Sequence, residues 1–190
     1  YFNKILNDYP NSKNYNKVNI QLGLLDLKIG KINEFQERLE DVSLKDLNQE
    51  EKYEYYNLMA YFYDIYDDTF NKKINYSNAL KHANNKVKRI YIYNKLLEIS
   101  EKQHDYINCI DYIEGIQANT ETLIVDKELL KDWINYKLKL NENRDVIYKL
   151  ETLLSSSVTK KDELYYKINI GRSYIYLNEY ASSVNILNEL

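Results

Sequence analysis

The chain has few of the residues that interrupt helices, with a single proline and four glycines among 190 residues. Folds built from β-strands need glycine and proline at their many turns, so this scarcity favours an all-α fold. The single cysteine excludes an intrachain disulfide framework and any cysteine-based zinc site. No apolar stretch approaches the roughly 18 residues that cross a bilayer, and we therefore expect no membrane contact.

Long runs of one charge are also missing, since 26 basic side chains stand against 29 acidic ones for a net charge of −3. A nucleic-acid-binding surface needs a basic stripe, so we expect no direct nucleic-acid contact from this segment. Glycine-rich phosphate loops and metal-ligand spacings are absent, and we expect no cofactor, no metal and no enzymatic activity. The chain does contain apolar side chains, 44% of its residues including 21 tyrosines, which is enough for a packed core.

An internal repeat of 37 residues is the most informative feature of the sequence. The segment Leu140-Asn141-Glu142-Asn143 recurs 37 residues later as Leu177-Asn178-Glu179-Tyr180. Steps of 37 residues along the chain reach five residue types that tolerate a left-handed backbone: Gly30, Asp67, His104, Asn141 and Asn178. Such residues stand where a helix ends and the chain turns back, so the register predicts five turns.

Apolar side chains before each turn form one stripe of an amphipathic helix. With the turn residue numbered as position 15 of each repeat, the stripe occupies positions 3, 7, 10 and 14. Position 7 holds Leu22, Met59, Leu96, Trp133 and Ile170. Position 3 holds Val18, Tyr55, Ile92, Leu129 and Tyr166. Position 10 holds Leu25, Phe62, Ile99, Tyr136 and Ser173, and position 14 holds Ile29, Tyr66, Gln103, Leu140 and Leu177.

A second apolar stripe after each turn predicts that every repeat is a helical hairpin. Position 24 holds Leu39, Ile113, Leu150 and Leu187, and position 27 holds Val42, Ile116, Leu153 and Leu190. The second repeat departs from this pattern. There we expect an insertion over Asp68–Ile74, a second helix from Asn75 to roughly Lys86, and the next repeat from near Val87.

The register divides residues 1–190, taken as a single repeat domain, into hairpins. The predicted repeats are a partial one near 1–15, then 16–52, 53–89, 90–126, 127–163 and a partial one at 164–190. Phe2 and Ile5 fit the tail of a preceding repeat, which Pro10 ends. The sequence opens at Tyr1 without methionine and stops at Leu190 within a helical pattern, so we expect a fragment of a longer protein.

The pattern resembles the tetratricopeptide repeat (TPR) family. The last repeat has the family's Gly, Tyr, Tyr, small and large apolar residues at Gly171, Tyr174, Tyr180, Ser183 and Leu187. Other repeats supply Gly23, Gly30, Tyr106 and Cys109. Leu97 and Ile134 stand where the family has a small residue, and the interval of 37 exceeds the family's ~34. The resemblance implies a right-handed superhelix, an α-solenoid of about five TPR-like hairpins.

Stacked hairpins leave a concave groove lined by the first helix of each repeat. Repeat positions 2, 5, 6, 9, 12 and 13 face that groove. The candidate peptide-binding residues are Asn57, Tyr61, Asp64, Asn94, Glu98, Lys131, Asn135, Tyr165, Asn169 and Arg172. An asparagine amide both donates to and accepts from an extended peptide backbone. Asparagine is no more frequent at these positions than in the whole chain, so a solvated polar face is the alternative.

Other chemistry-bearing side chains have structural explanations. His104 falls at a turn, and Trp133 and Cys109 fall at core positions, the cysteine as a buried and inert thiol. Three acidic residues near the second turn lack the glycine and spaced oxygens of a calcium loop: Asp64, Asp67 and Asp68. The one basic cluster is more typical of a solvated surface than of a phosphate site: Lys81, Lys86, Lys88 and Arg89.

The architecture and composition also resemble the C-terminal sensor domains of Gram-positive quorum-sensing regulators, the Rgg, PlcR and PrgX group. That resemblance implies the cytoplasmic sensor part of a peptide-responsive transcription regulator, which holds a short peptide in the groove. It further implies a homodimer formed through the repeats and a change of superhelix curvature on peptide binding. The alternative is a constitutive TPR scaffold that holds a protein partner without small-ligand switching.

Overall fold

A computed structural model describes residues 8, 12, 14–120, 126–156 and 158–190. These residues form helices and turns with no strand among them, and the all-α fold class is confirmed. The predictions made for Phe2, Ile5 and Pro10 lie outside the described residues. Within that same part of the chain, no helix is long and apolar enough to span a membrane.

Ten helices follow one another in the described residues. They are α1 Tyr15–Lys28, α2 Ile32–Glu40, α3 Gln49–Ile65, α4 Thr69–His82, α5 Lys86–Lys102, α6 Tyr106–Asn119, α7 Lys127–Lys139, α8 Asn143–Leu154, α9 Lys160–Tyr176 and α10 Tyr180–Leu187. The odd-numbered helices are the first helices of the five repeats, and the even-numbered helices are the second.

The helix boundaries at the turns repeat at intervals of 37 residues. The first helices end at Lys28, Ile65, Lys102, Lys139 and Tyr176. The second helices begin at Ile32, Thr69, Tyr106, Asn143 and Tyr180. The first helices begin at less regular intervals, at Tyr15, Gln49, Lys86, Lys127 and Lys160.

All five predicted turn residues adopt the left-handed backbone. The φ angles are 78° at Gly30, 54° at Asp67 and His104, and 60° at Asn141 and Asn178. In each turn the next residue donates its N–H to a carbonyl five residues back, as Asp105 does to Ser100 at 2.9 Å. This bond satisfies a carbonyl left open at the helix end and is the signature of a Schellman turn.

Side-chain caps begin several of the helices. Asn48 and Glu51 form a reciprocal capping box at the start of α3. The side chains of Asp126 and Thr159 accept backbone N–H groups at the starts of α7 and α9. Asp68 caps α4 by accepting the N–H of Asn71 at 3.0 Å.

Repeat positions 7 and 24 are buried or partly buried wherever the predicted stripes place an apolar residue. At position 7, Leu22, Leu96, Trp133 and Ile170 are buried and Met59 is partly buried. At position 24, Leu39, Ile113 and Leu150 are buried and Leu187 is partly buried. The buried cluster around α1 comprises Ile20, Leu27, Phe35, Leu39, Val42, Leu47 and Leu58.

The prediction that position 14 belongs to the core is wrong for the first three repeats. Ile29 and Tyr66 are 60% and 54% exposed, and Gln103 is exposed. Position 14 falls one residue beyond the end of each first helix, where the chain already turns away from the helix axis. Leu190 is exposed for the same reason, because α10 ends at Leu187.

Leu25 was also expected in the core at position 10 but is 54% exposed. Successive helix residues are 100° apart, so Leu25 and Leu27 point to nearly opposite sides of α1. Leu27 is buried in the cluster with Phe35, and Leu25 therefore points toward solvent.

The insertion predicted in the second repeat is absent, because α4 begins at Thr69 directly after the capping residue Asp68. The repeat register continues through this helix without interruption. Tyr76 and Ala79 stand at positions 24 and 27, and both are buried. The second helix therefore spans Thr69–His82 rather than Asn75 to Lys86.

The chain divides into two compact units. The first comprises Tyr1–Ile99 with Ala118–Glu121, and the second comprises Ser100–Gln117 with Thr122–Leu190. In the first unit α1 packs against α2 and α3, and α3 packs against α4. In the second unit α8 packs against α7 and α9, and α9 packs against α10. Hairpin pairs thus contact each other within both units.

Candidate functional site

A cavity of about 410 Å³ lies in the first compact unit. Its walls come from α1, α3 and the first-unit part of α5, with one side chain contributed by α4. The lining residues are Ile20, Gln21, Leu24, Lys28, Tyr53, Glu54, Asn57, Leu58, Tyr61, Asp64, Tyr76, Tyr91 and Lys95.

The lining follows the repeat register. All of these residues except Tyr53 and Tyr76 stand at positions 2, 5, 6, 9, 12 or 13 of their repeats, the positions expected to face a groove. First helices that lie side by side present equivalent positions to the same surface. The cavity is therefore a direct consequence of the 37-residue interval in this unit.

Four tyrosines surround the cavity: Tyr53, Tyr61, Tyr76 and Tyr91. Tyr76 was missed at the sequence level, because the supposed insertion removed it from the register. Where other repeats place Leu39, Ile113 or Leu150, its longer side chain carries a hydroxyl that hydrogen-bonds Tyr91. Burial, followed by nearby Tyr91, Glu50 and Glu54, raises the pKa of Tyr53 to about 12.

Asn57 supplies an unpaired acceptor within this lining. Its Oδ1 atom is buried and has no hydrogen-bond partner among the described residues. Burying an amide oxygen without a partner costs roughly 1–3 kcal/mol. A ligand that donates an N–H or O–H to Asn57 would recover that cost.

The charged lining residues differ in how they are balanced. The Asp64 carboxylate pairs with Lys72 of α4, and the Lys95 ammonium lies 3.7 Å from Glu98. The Glu54 carboxylate instead accepts a hydrogen bond from the neutral amide of Gln21 at 3.2 Å. In the part of the chain that the structure describes, no lysine or arginine forms an ion pair with Glu54.

Three of the five predicted first-unit residues meet at this cavity, namely Asn57, Tyr61 and Asp64. Asn94 lies on α5 and is exposed, and its Nδ2 donates to the Ile90 carbonyl of its own helix at 2.8 Å. Glu98 is exposed and pairs with Lys95.

The predicted second-unit residues are more scattered. Lys131 and Tyr165 line a smaller cavity of about 200 Å³ together with Lys127, Glu128, Leu130, Lys161, Asp162 and Tyr166. Asn135 and Arg172 are exposed. Asn169, expected in the groove, is 4% exposed, and its Nδ2 donates to the Tyr165 carbonyl at 2.8 Å. That amide closes a bond within α9 and is not presented to a ligand.

The remaining candidates occupy structural positions. Cys109 is buried, and Trp133 is buried with its Nε1 donating to Glu114 at 3.0 Å. In the basic cluster, Lys88 pairs with Glu50 and Arg89 donates to the Ala83 carbonyl. Among the described residues no group of three histidine, cysteine or acidic side chains could hold a metal ion.

Comparison with models of known protein families found no match to this chain, and a search of curated proteins also found no match.

Proposed function

We propose that the chain is a peptide-binding repeat domain, a right-handed TPR-like α-solenoid of about five hairpins. The equal spacing of helix ends and second-helix starts supports this architecture. So do the five left-handed turns in one register. The ligand is a short peptide or a segment of a protein, held against the first helices.

The observation that supports peptide binding most directly is the cavity between α1, α3 and α5. Apolar side chains and tyrosine rings form most of its lining, and the buried Oδ1 of Asn57 offers an acceptor. Sites for small ligands combine a largely apolar wall with a few placed polar groups. A peptide supplies both an apolar side chain and N–H donors.

A peptide in this cavity would contact three helices that are far apart in sequence. Binding energy that depends on their spacing favours one arrangement of α1, α3 and α5 over others. A change in the arrangement of these helices on peptide binding would let the repeat domain act as the sensor of a peptide-responsive transcription regulator. The resemblance to quorum-sensing regulators adds a cytoplasmic location and a homodimer to the proposal.

The experiment selects peptides from a random heptapeptide library on the immobilised chain and measures their affinity by calorimetry. We expect Asn57→Leu and Tyr61→Ala each to weaken a selected peptide at least tenfold, because both residues line the cavity. Tyr148→Ala is the matched control, since Tyr148 is 76% exposed on α8 in the second unit.

Two results would reject the proposal. One is that no library peptide binds. The other is that bound peptides respond to Tyr148→Ala and not to the two cavity variants. Circular dichroism of each variant separates loss of binding from loss of fold.

A constitutive scaffold is the second candidate, and exposed apolar side chains on the last hairpin favour it. Val184 is 55% exposed, whereas its counterpart one repeat earlier, Ile147, is 5% exposed. Hydrogen exchange with and without a selected peptide distinguishes the two functions. A sensor predicts changed protection in helices that do not touch the peptide, and a scaffold predicts protection only at the contacts.

A further inference from the structure

The chemistry of the first-unit cavity also constrains which ligand group enters it. Glu54 and Asn57 are three residues apart on α3, so their side chains lie on the same face of that helix. Glu54 presents a carboxylate balanced only by a neutral amide hydrogen bond, and Asn57 presents an acceptor without a partner. A hydrogen-bond donor would pair with either group, and a positively charged donor would also balance the charge of the Glu54 carboxylate.

The surrounding rings favour the same type of group. Tyr61 and Tyr91 are 39% and 43% exposed, and they line the cavity together with the more deeply buried Tyr53 and Tyr76. The faces of aromatic rings attract cations, and the attraction grows as the cation is desolvated. Glu54 and Asn57 line the same cavity as these rings.

Carboxylates near the cavity make a contribution to the raised pKa values of two of its tyrosines. Burial is the largest cause of the raised pKa values of Tyr53 and Tyr76. Carboxylates add to both shifts, Glu50 and Glu54 at Tyr53, Asp64 and Glu98 at Tyr76. Of the two lysines in the lining, Lys95 is paired with Glu98, and Lys28 lies exposed in the last turn of α1.

We propose that this cavity binds a positively charged group of its ligand, an alkylammonium or a guanidinium, through the Glu54 carboxylate, the Asn57 amide oxygen and the rings of Tyr61 and Tyr91. This inference rests on the proposed peptide-binding function and names the chemistry of the bound group. The group is a lysine or arginine side chain or the amino terminus of a peptide.

The test uses four small probes and ring resonances of Tyr61 and Tyr91, assigned with Tyr61→Phe and Tyr91→Phe. N-acetyl-arginine methylamide is titrated against its neutral citrulline counterpart, which has the same shape. Glycyl-glycine amide, with a free amino terminus, is titrated against its acetylated form. We expect the charged member of at least one pair to bind at least fivefold more tightly, and that pair identifies the source of the charge.

Substitutions then locate the charge. Glu54→Gln keeps a hydrogen-bonding group but removes the charge. It should lower the affinity for the charged probe to that for its neutral counterpart. Glu37→Gln removes the same charge from an exposed site on α2 and should leave the affinity unchanged. Asn57→Asp places a carboxylate where the unpaired amide oxygen lies and should raise the affinity for the charged probe severalfold.

Equal binding of charged and neutral probes, no saturable binding of either charged probe, or no effect of Glu54→Gln would overturn the inference. These results differ from failure of the proposed function. If library peptides bind at the cavity but bear no basic group and do not respond to Glu54→Gln, peptide binding stands and cation recognition falls. If no peptide binds, both fall.

Discussion

Four of the five left-handed turn residues carry a side chain, although glycine is the residue best suited to that backbone. Asp67, His104, Asn141 and Asn178 have φ angles between 54° and 60°. A left-handed backbone brings Cβ close to the following carbonyl oxygen, which costs an L-residue roughly 1–2 kcal/mol. The Schellman hydrogen bond at each turn offsets part of this cost, because it satisfies a carbonyl at the helix end where the chain reverses.

The strain at Asn141 predicts the order of two substitutions. We expect Asn141→Gly to be more stable than Asn141→Ala by about 1 kcal/mol, because glycine has no Cβ to clash at positive φ. Urea unfolding followed by circular dichroism measures the difference. Asn188 is the control, since it follows α10 with φ −72°. Asn188→Gly should be no more stable than Asn188→Ala. Equal stability of Asn141→Gly and Asn141→Ala would contradict the prediction.

At the scale of elements, glycine stands at position 8 in two repeats and faces a neighbouring helix in both. Gly171 of α9 faces α10 so closely that an added Cβ would lie 2.8 Å from Leu187 Cγ. The buried hydroxyl of Ser183 donates to the Gly171 carbonyl at 2.9 Å across the same contact. Gly23 stands at the same position of the first repeat, and an added Cβ there would have ordinary contacts, the nearest at 3.5 Å.

The two glycines therefore predict opposite outcomes for one substitution. Gly23→Ala should stabilise the chain by about 0.5–1 kcal/mol, because alanine favours the helix and a methyl group fits. Gly171→Ala should destabilise it by about 1 kcal/mol or more, since overpacking costs about 1–3 kcal/mol and outweighs the gain in helix propensity. Thermal unfolding measures both changes.

A third variant tests the cause. Leu187→Ala makes room beside position 171, so the further cost of Gly171→Ala should disappear in the Leu187→Ala background. A stabilising effect of Gly171→Ala in the otherwise unchanged chain would show that α9 and α10 are less closely packed than described.

Across the whole molecule, buried tyrosines link stability to alkaline pH. Burial raises the pKa values of Tyr53 and Tyr76 in the first unit and of Tyr136 and Tyr166 in the second. The folded chain therefore favours the neutral phenols, whereas the unfolded chain ionises them near pH 10. The stability that these groups contribute is complete below pH 10 and is lost as the pH rises through the folded values.

We expect unfolding and tyrosine ionisation to occur together in alkali. Tyr53, with its pKa at about 12, should contribute a loss of about 1–2 kcal/mol between pH 10 and 12. Tyr53→Phe should remove that part of the loss, and Tyr148→Phe, at an exposed site, should not. Tyrosinate absorbance and circular dichroism, followed in parallel titrations, check this. Full ionisation at pH 11 with unchanged helical signal would contradict it.

The sequence alone determined the features that depend on local backbone chemistry. The scarcity of glycine and proline predicted the all-α fold. The five turns follow from residue types at a fixed interval, because only a few side chains tolerate a left-handed backbone. Most of the residues that line the first-unit cavity on α1, α3 and α5 also stand at equivalent positions of that interval.

Only the tertiary structure decided which side chains are covered and which stay unpaired. Leu25 has an apolar side chain like Leu22 and Leu27, yet the packing of α1 leaves it exposed while those two are buried. Asn57 and Asn169 are the same residue type on equivalent helices, but one carries a buried unpaired oxygen at a cavity and the other donates to its own helix. Burial and hydrogen bonding depend on atoms brought close from distant parts of the chain, and no local pattern contains them.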